Sequence, residues 1–291
     1  VSEIKACAIV DWPLLACVLG MFGTAVFALA APQAGGRDRE FAPAAVAPFW
    51  RSLAALNLAL TPVGLILAVR DMADTTIIGA FRFLPRAVSD THPGRMWTAR
   101  IVLGAMLIGA IAMRTSARTR ATAVAILSGA ALLVIATMSH AVDHGAMAVA
   151  IYFVHEIAAG SWGGALLTVY IAATVAQAGP GWISAVTPRL SRVAGWSVAV
   201  LVATGVCTAL VTSHWEPGNL LRSDYGHALI LKVAIVAFTL VFGAYNRYRL
   251  VPEIADPTAR ALLIRNLAAE SFLLLIVLGV TAVLINLPPP H

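Results

Sequence analysis

The stretch ACAIVDWPLLACVLGMFGTAVFALAA, residues 6–31, decides what kind of protein this is: in 26 residues it carries one charged side chain, Asp11. A helix needs about 20 mostly apolar residues to cross roughly 30 Å of hydrocarbon at about 1.5 Å per residue. The stretch is therefore long enough to span a bilayer. It also exceeds the roughly 7–15 residues of a signal-peptide core, so it reads as a retained transmembrane helix. Seven further stretches share its character, at about 46–69, 97–113, 121–142, 147–175, 193–213, 227–248 and 264–287. Over all 291 residues, 60% are hydrophobic and 12% charged, and the mean hydropathy is +0.85. Soluble domains carry about 25% charged residues, so this chain lacks the polar side chains to cover a water-facing surface. The expectation is an all-α integral membrane protein with about eight transmembrane helices. They form one polytopic domain over residues 1–291, with no appended soluble domain.

Charge sets the orientation. The net charge is +6, with no basic run long enough to hold a polyanion, so nucleic acid is not an expected partner; membrane lipid is. Cytoplasmic loops of membrane proteins are enriched in Lys and Arg. Arg114, Arg118 and Arg120, then Arg189 and Arg192, then Arg247, Arg249 and Arg260 follow the third, fifth and seventh spans. Those loops are expected inside, together with Arg37 and Arg39, and both termini outside, in the periplasm of a bacterial inner membrane. Residues 70–96 disagree, because they would face out yet contain Arg70, Arg82, Arg86 and Arg95. An interfacial amphipathic helix near 71–90 offsets this, with Ile77, Phe81, Leu84 and Val88 on one face and Asp71, Asp74, Arg82 and Arg86 on the other. Cys7, Cys17 and Cys207 lie in apolar stretches without a CxxC pair, which gives neither a disulfide framework nor a zinc site.

Ionisable side chains inside a bilayer are costly and are candidates for function. The densest group is Met138, Ser139, His140, Asp143, His144 and Met147, followed by His155 and Glu156 further into the fifth span. His140 and His144 share a face if the helix continues to Gly145. Met138 and His155 stand at similar depth on the two arms of the same hairpin, about 10–15 Å below the outer surface. Imidazole binds several transition metals and thioether selects copper(I), so the set favours a copper ion. Histidines at a helix end also serve as interfacial hydrogen-bonding groups, and the residues alone leave both readings open. His214 and His227 stand at the outer ends of later spans, where a polar and aromatic belt is equally expected. Lys232 lies deeper and needs a carboxylate, for which Asp11 and Glu156 are available. Asn246 and Glu270 lie toward the inner side, as a gate or as part of a clasp between the last two spans. Gly160 and Gly164 form a GxxxG, a close-packing feature.

Neither a Walker GxxxxGK[ST] nor a CxxC metal-binding module is present, so ATP-driven pumping has no support and no enzymatic activity is expected. A different class stays open: a membrane cytochrome in which two of His140, His155, His214 and His227 ligate haem b between helices.

Four pieces carry a family resemblance: SHAVDH at 139–144, HEIAAGSWGG from His155 to Gly164, DYGHALILK from Asp224 to Lys232, and the late pair Asn246 and Glu270 followed by Pro288 to Pro290. THPGRMWTAR, ending at Arg100, is a fifth. In this order they resemble the CopD family of bacterial copper-resistance membrane proteins. The resemblance implies an eight-helix inner-membrane protein that moves copper between periplasm and cytoplasm, usually as uptake, with a separate periplasmic carrier of the CopC type. Trp162 joins Asp11, Glu156, His214, His227, Lys232, Asn246 and Glu270 as the expected pathway or gating residues. Copper would then bind at His140, His144, Met147, Met138 and His155.

Overall fold

A computed structural model describes residues 6–32, 39–212, 218 and 222–288. Among them eight helices are long and apolar enough to cross a membrane, and no strand is present. The chain is an all-α multi-pass membrane protein.

The spanning helices are α1 (Ala6–Ala30), α2 (Phe41–Met72), α4 (His92–Ala112), α5 (Ala117–Ala136), α6 (Ala146–Thr174), α7 (Pro180–Thr212), α8 (Asp224–Tyr245) and α9 (Pro257–Leu284). α3 (Ile77–Asp90) is the short amphipathic helix. Polar caps start several of them: Thr76, Thr91, Ser116, Ser223 and Asp256 each accept a backbone N–H from the first turn of α3, α4, α5, α8 and α9. These caps satisfy donors that a helix cannot satisfy itself.

α1 is the central post, packed by α2, α5, α6 and α9. Its closest approach is to α6, where Gly23 meets Gly160 and Gly164 and a Cβ at Gly164 would fall on the backbone of Gly23 and Thr24. Small residues let backbones approach where lipid gives no hydrophobic drive for association. At the next residue, Trp50 of α2 donates Nε1–H to Thr24 Oγ1 at 2.9 Å, tying a third helix to the crossing. α7 leans on α6 and α8 on α9.

The spans differ from expectation mainly at their inner ends. α2 begins at Phe41 and α7 at Pro180, well before the apolar runs start. The added turns of α7 are amphipathic: Trp182 is buried and meets Phe41 edge-on, with ring centroids 5.3 Å apart. The interfacial helix starts at Ile77, because Asp71 still belongs to the end of α2 and Asp74 sits in a turn with φ +44°. Its bundle side is the strip Ala80, Leu84, Ala87 and Val88, whereas Ile77, Ile78 and Phe81 are exposed, facing where lipid would be.

Candidate functional site

α5 ends at Ala136, and His140–His144 form a separate 3-10 turn capped by Ser139, whose Oγ accepts from Ala141 N at 3.3 Å. At three residues per turn, positions four apart diverge by about 120°. The continuous helix that would put His140 and His144 on one face is therefore absent. His140 is exposed, His144 half-buried and Met147 73% exposed.

Met138 and His155 turn to different neighbours. Met138 packs against a cluster that includes Leu14, Leu65 and Trp97 of α1, α2 and α4. His155 faces α7, with Nδ1 2.9 Å from Thr204 Oγ1. Thr204 has already committed its hydroxyl proton to Val200 O at 2.7 Å, so His155 Nδ1 carries the hydrogen and donates. In that tautomer Nε2 is the acceptor nitrogen, the arrangement by which a second residue orients a metal-binding imidazole.

One residue on, Glu156 points elsewhere. It is 6% exposed, and both carboxylate oxygens are buried without a hydrogen-bond partner. Its charged neighbours are Arg100 of α4 and Lys232 of α8. Lys232 therefore has Glu156 as its carboxylate neighbour. Asp11 instead accepts from Asn286 Nδ2 at 3.0 Å and faces Arg100. Arg100, buried and with its guanidinium carbon 4.3 Å from the Trp97 ring centroid, is the main residue absent from the sequence-based list. The signal was present, since it is an arginine inside the third apolar run. A cavity of about 190 Å³ opens beside this cluster, lined by Cys7, Asp11, Asp71, Trp97 and Asn286; Cys7 donates its thiol to Asp71 Oδ2 at 3.2 Å.

Toward the end of the bundle where α1 finishes lies a second cavity, of about 300 Å³, between α6, α7, α8 and α9. Trp162, Thr187, Asn246, Arg247 and Glu270 contribute to its wall. α8 runs into a π-turn at Asn246–Leu250, an irregularity found often at functional positions. Asn246, at its start, donates to Glu270 Oε1 and accepts from Asn266 Nδ2 at 2.7 Å. Asn246 and Glu270 thus join the last two spans with Asn266 as the third member, and no arginine takes part: Arg247 donates to Ser191 O at 3.0 Å, and Arg265 is exposed.

His227 is exposed and His214 lies outside the described residues. The described haem candidates thus offer no pair of buried imidazoles, and nothing in their arrangement supports the cytochrome alternative. Among the described residues no three of His, Cys, Asp and Glu gather closely enough to hold a metal ion.

Comparison with known proteins returns two family matches. A model described as copper resistance protein D-like, N-terminal domain, matches residues 4–149, and one described as copper resistance protein D matches residues 184–284. No curated protein and no solved structure matches the chain. Between the two matches lie residues 150–183, which include His155 and most of α6, and the first alone covers half of the 291 residues: the chain belongs to the copper resistance protein D family and is a multi-pass copper-resistance protein of the inner membrane.

Proposed function

We propose that the protein carries copper across the inner membrane, from periplasm to cytoplasm, between α6, α7, α8 and α9. The observation that carries this reading is the placement of polar groups on shared helices. His155 and Glu156 of α6 and Lys232 of α8 stand in the outer half, and further along the same helices Trp162, Asn246 and Glu270 of α9 wall the 300 Å³ cavity. Ionisable groups facing the interior of a bundle mark ion paths. The absence of a closed three-ligand cage among the described residues suits a cargo that must leave as readily as it enters.

Copper delivered by a separate periplasmic carrier of the CopC type meets the His140, His144 and Met147 segment first. It then passes to His155, whose Nδ1 is held by Thr204. Met138, packed toward α4, serves entry from the other side of the hairpin. The test is copper uptake into liposomes containing the purified protein. Wild type admits copper, whereas His155→Ala and Glu270→Ala each cut the rate by at least about tenfold, the usual effect of losing one positioned ligand or its support. Equal rates in all three proteins remove the route.

A further inference from the structure

Arg82 and Arg86 of α3 are charges that the copper path does not use and that the fold leaves unanswered. Both are exposed, and among the described residues neither takes part in a hydrogen bond or an ion pair. The one acid of α3, Asp90, stands four residues beyond Arg86 and instead accepts Ser89 Oγ–H at 2.6 Å. The helix that carries them is firmly seated. Ala80, Leu84, Ala87 and Val88 pack it on the bundle, Thr91 Oγ1 donates to Ala87 O at 2.7 Å, and a Cβ at Gly94 would fall on the same carbonyl. The directions of its remaining side chains are therefore set by the fold. At about 100° per residue, Ile78, Arg82 and Arg86 follow one another along one ridge of α3, with Ile77 and Phe81 on the ridge beside it. Ile77, Ile78 and Phe81 are 52%, 79% and 55% exposed. An apolar strip and two free guanidinium groups thus adjoin on one 14-residue helix, at the end of the bundle where Cys7 of α1 meets Asp71 of α2.

We propose that this side of α3 is a docking surface for anionic phospholipids, with Ile77, Ile78 and Phe81 among the acyl chains and Arg82 and Arg86 on the headgroup phosphates. A helix with an apolar side and arginines beside it lies in the membrane interface. Guanidinium matches phosphate with paired, charge-assisted hydrogen bonds. Charge alone would also suit a soluble acidic partner, but that partner would have to displace lipid from three large apolar side chains adjoining the charges. The phosphates supply the counter-charge that the protein withholds, which gives arginines a place in a segment that the charge rule expects to be poor in them. Because α3 packs on α2 and α4, lipid held there braces the ends of two spans. The inference is independent of the copper route and of which side of the membrane this end faces.

The full chain, with Cys7, Cys17 and Cys207 replaced by alanine and Ile78→Cys carrying a fluorophore, is placed in phosphatidylcholine bilayers. These contain a small fraction of brominated phosphatidylglycerol or, in a parallel sample, of brominated phosphatidylcholine. Both lipids are expected to quench the label, and phosphatidylglycerol to do so as if enriched at least about fivefold over its bulk fraction, the effect of one arginine beside an anionic headgroup. Adding Arg82→Gln and Arg86→Gln brings the two lipids level. Equal quenching by the two lipids with both arginines present overturns the proposal, as does an excess that survives the double substitution. A label that neither lipid quenches puts the strip outside the bilayer and overturns it too. Because the label replaces Ile78, native mass spectrometry of the unlabelled wild-type chain gives a second reading. Phosphatidylglycerol retained on release from mixed micelles must fall in the chain with Arg82→Gln and Arg86→Gln, and identical retention overturns the proposal.

Discussion

His155 depends on a neighbour with no ionisable group. Thr204 gives its proton to Val200 O and accepts from His155 Nδ1, which fixes the tautomer and aims the ring along α7. Gly205 gives the ring room: a Cβ there would lie 3.6 Å from His155 Cε1. Thr204→Val keeps the volume and removes the acceptor. Copper affinity is expected to fall about tenfold or more while the melting temperature changes little, and calorimetric titration beside a melting curve checks both. At this scale the sequence was informative about identity and silent about direction. His155, Glu156, Lys232, Asn246 and Glu270 stand out as polar groups in apolar runs, and the structure buries Glu156, Asn246 and Glu270. Which group each one meets was not legible, because consecutive residues on a helix point about 100° apart. Met138 and His155 share a depth and still face different helices. Thr204, Asn266 and Asn286 carry no signal of their own in an apolar stretch, so they emerge only as partners.

Among the helices, the α1–α6 crossing holds the site in place, since α6 carries His155, Glu156 and Trp162 while α1 carries Asp11. Gly164→Ala puts a methyl group into the backbone of Gly23 and Thr24, where neither helix can give. Overpacking of this kind costs about 3 kcal/mol. Gly163→Ala is the control, because its Cβ would meet only Leu274 Cδ1 at 3.5 Å. Denaturant titration in micelles should show Gly164→Ala markedly destabilised and Gly163→Ala close to wild type; equal stability of the two would remove the crossing as the organising contact. The GxxxG spacing announced close packing, though not that α1 was the partner. The hairpin between α5 and α6 was legible in outline only. The spacing of four from His140 to His144 suggested one α-helical face, but α5 ends at Ala136 and the chain re-enters α6 through Gly145, at φ +91°. Likewise, Arg189, Arg192 and Pro188 made the start of α7 look like loop, whereas Trp182 and Ile183 bury that segment against the bundle.

For the molecule as a whole, the open quantity is which end faces the periplasm, and the arginines supply a physical reason for one answer. Arg118 gives its backbone N–H to Glu40 at 2.8 Å and its guanidinium to Leu29 O at 3.2 Å, and Arg189 donates to Ala30 O. Both hold carbonyls at the C-terminal end of α1, where a helix dipole favours cations. The arginine-bearing loops after α4 and α6 thus gather at the end where α1 finishes, and that end is cytoplasmic by the charge rule. Two of the dissenting arginines of residues 70–96 are held locally: Arg70 is paired with Asp71 at 2.5 Å, and Arg95 donates to Ser89 O at 3.2 Å. Single cysteines at Asp143 and at Arg260, in a chain whose Cys7, Cys17 and Cys207 are replaced by alanine, report the result. An impermeant maleimide added to spheroplasts is expected to label Asp143→Cys directly and Arg260→Cys only after the membrane is opened. The reverse pattern would turn the molecule over, making the 3-10 turn with His140 and His144 a cytoplasmic mouth.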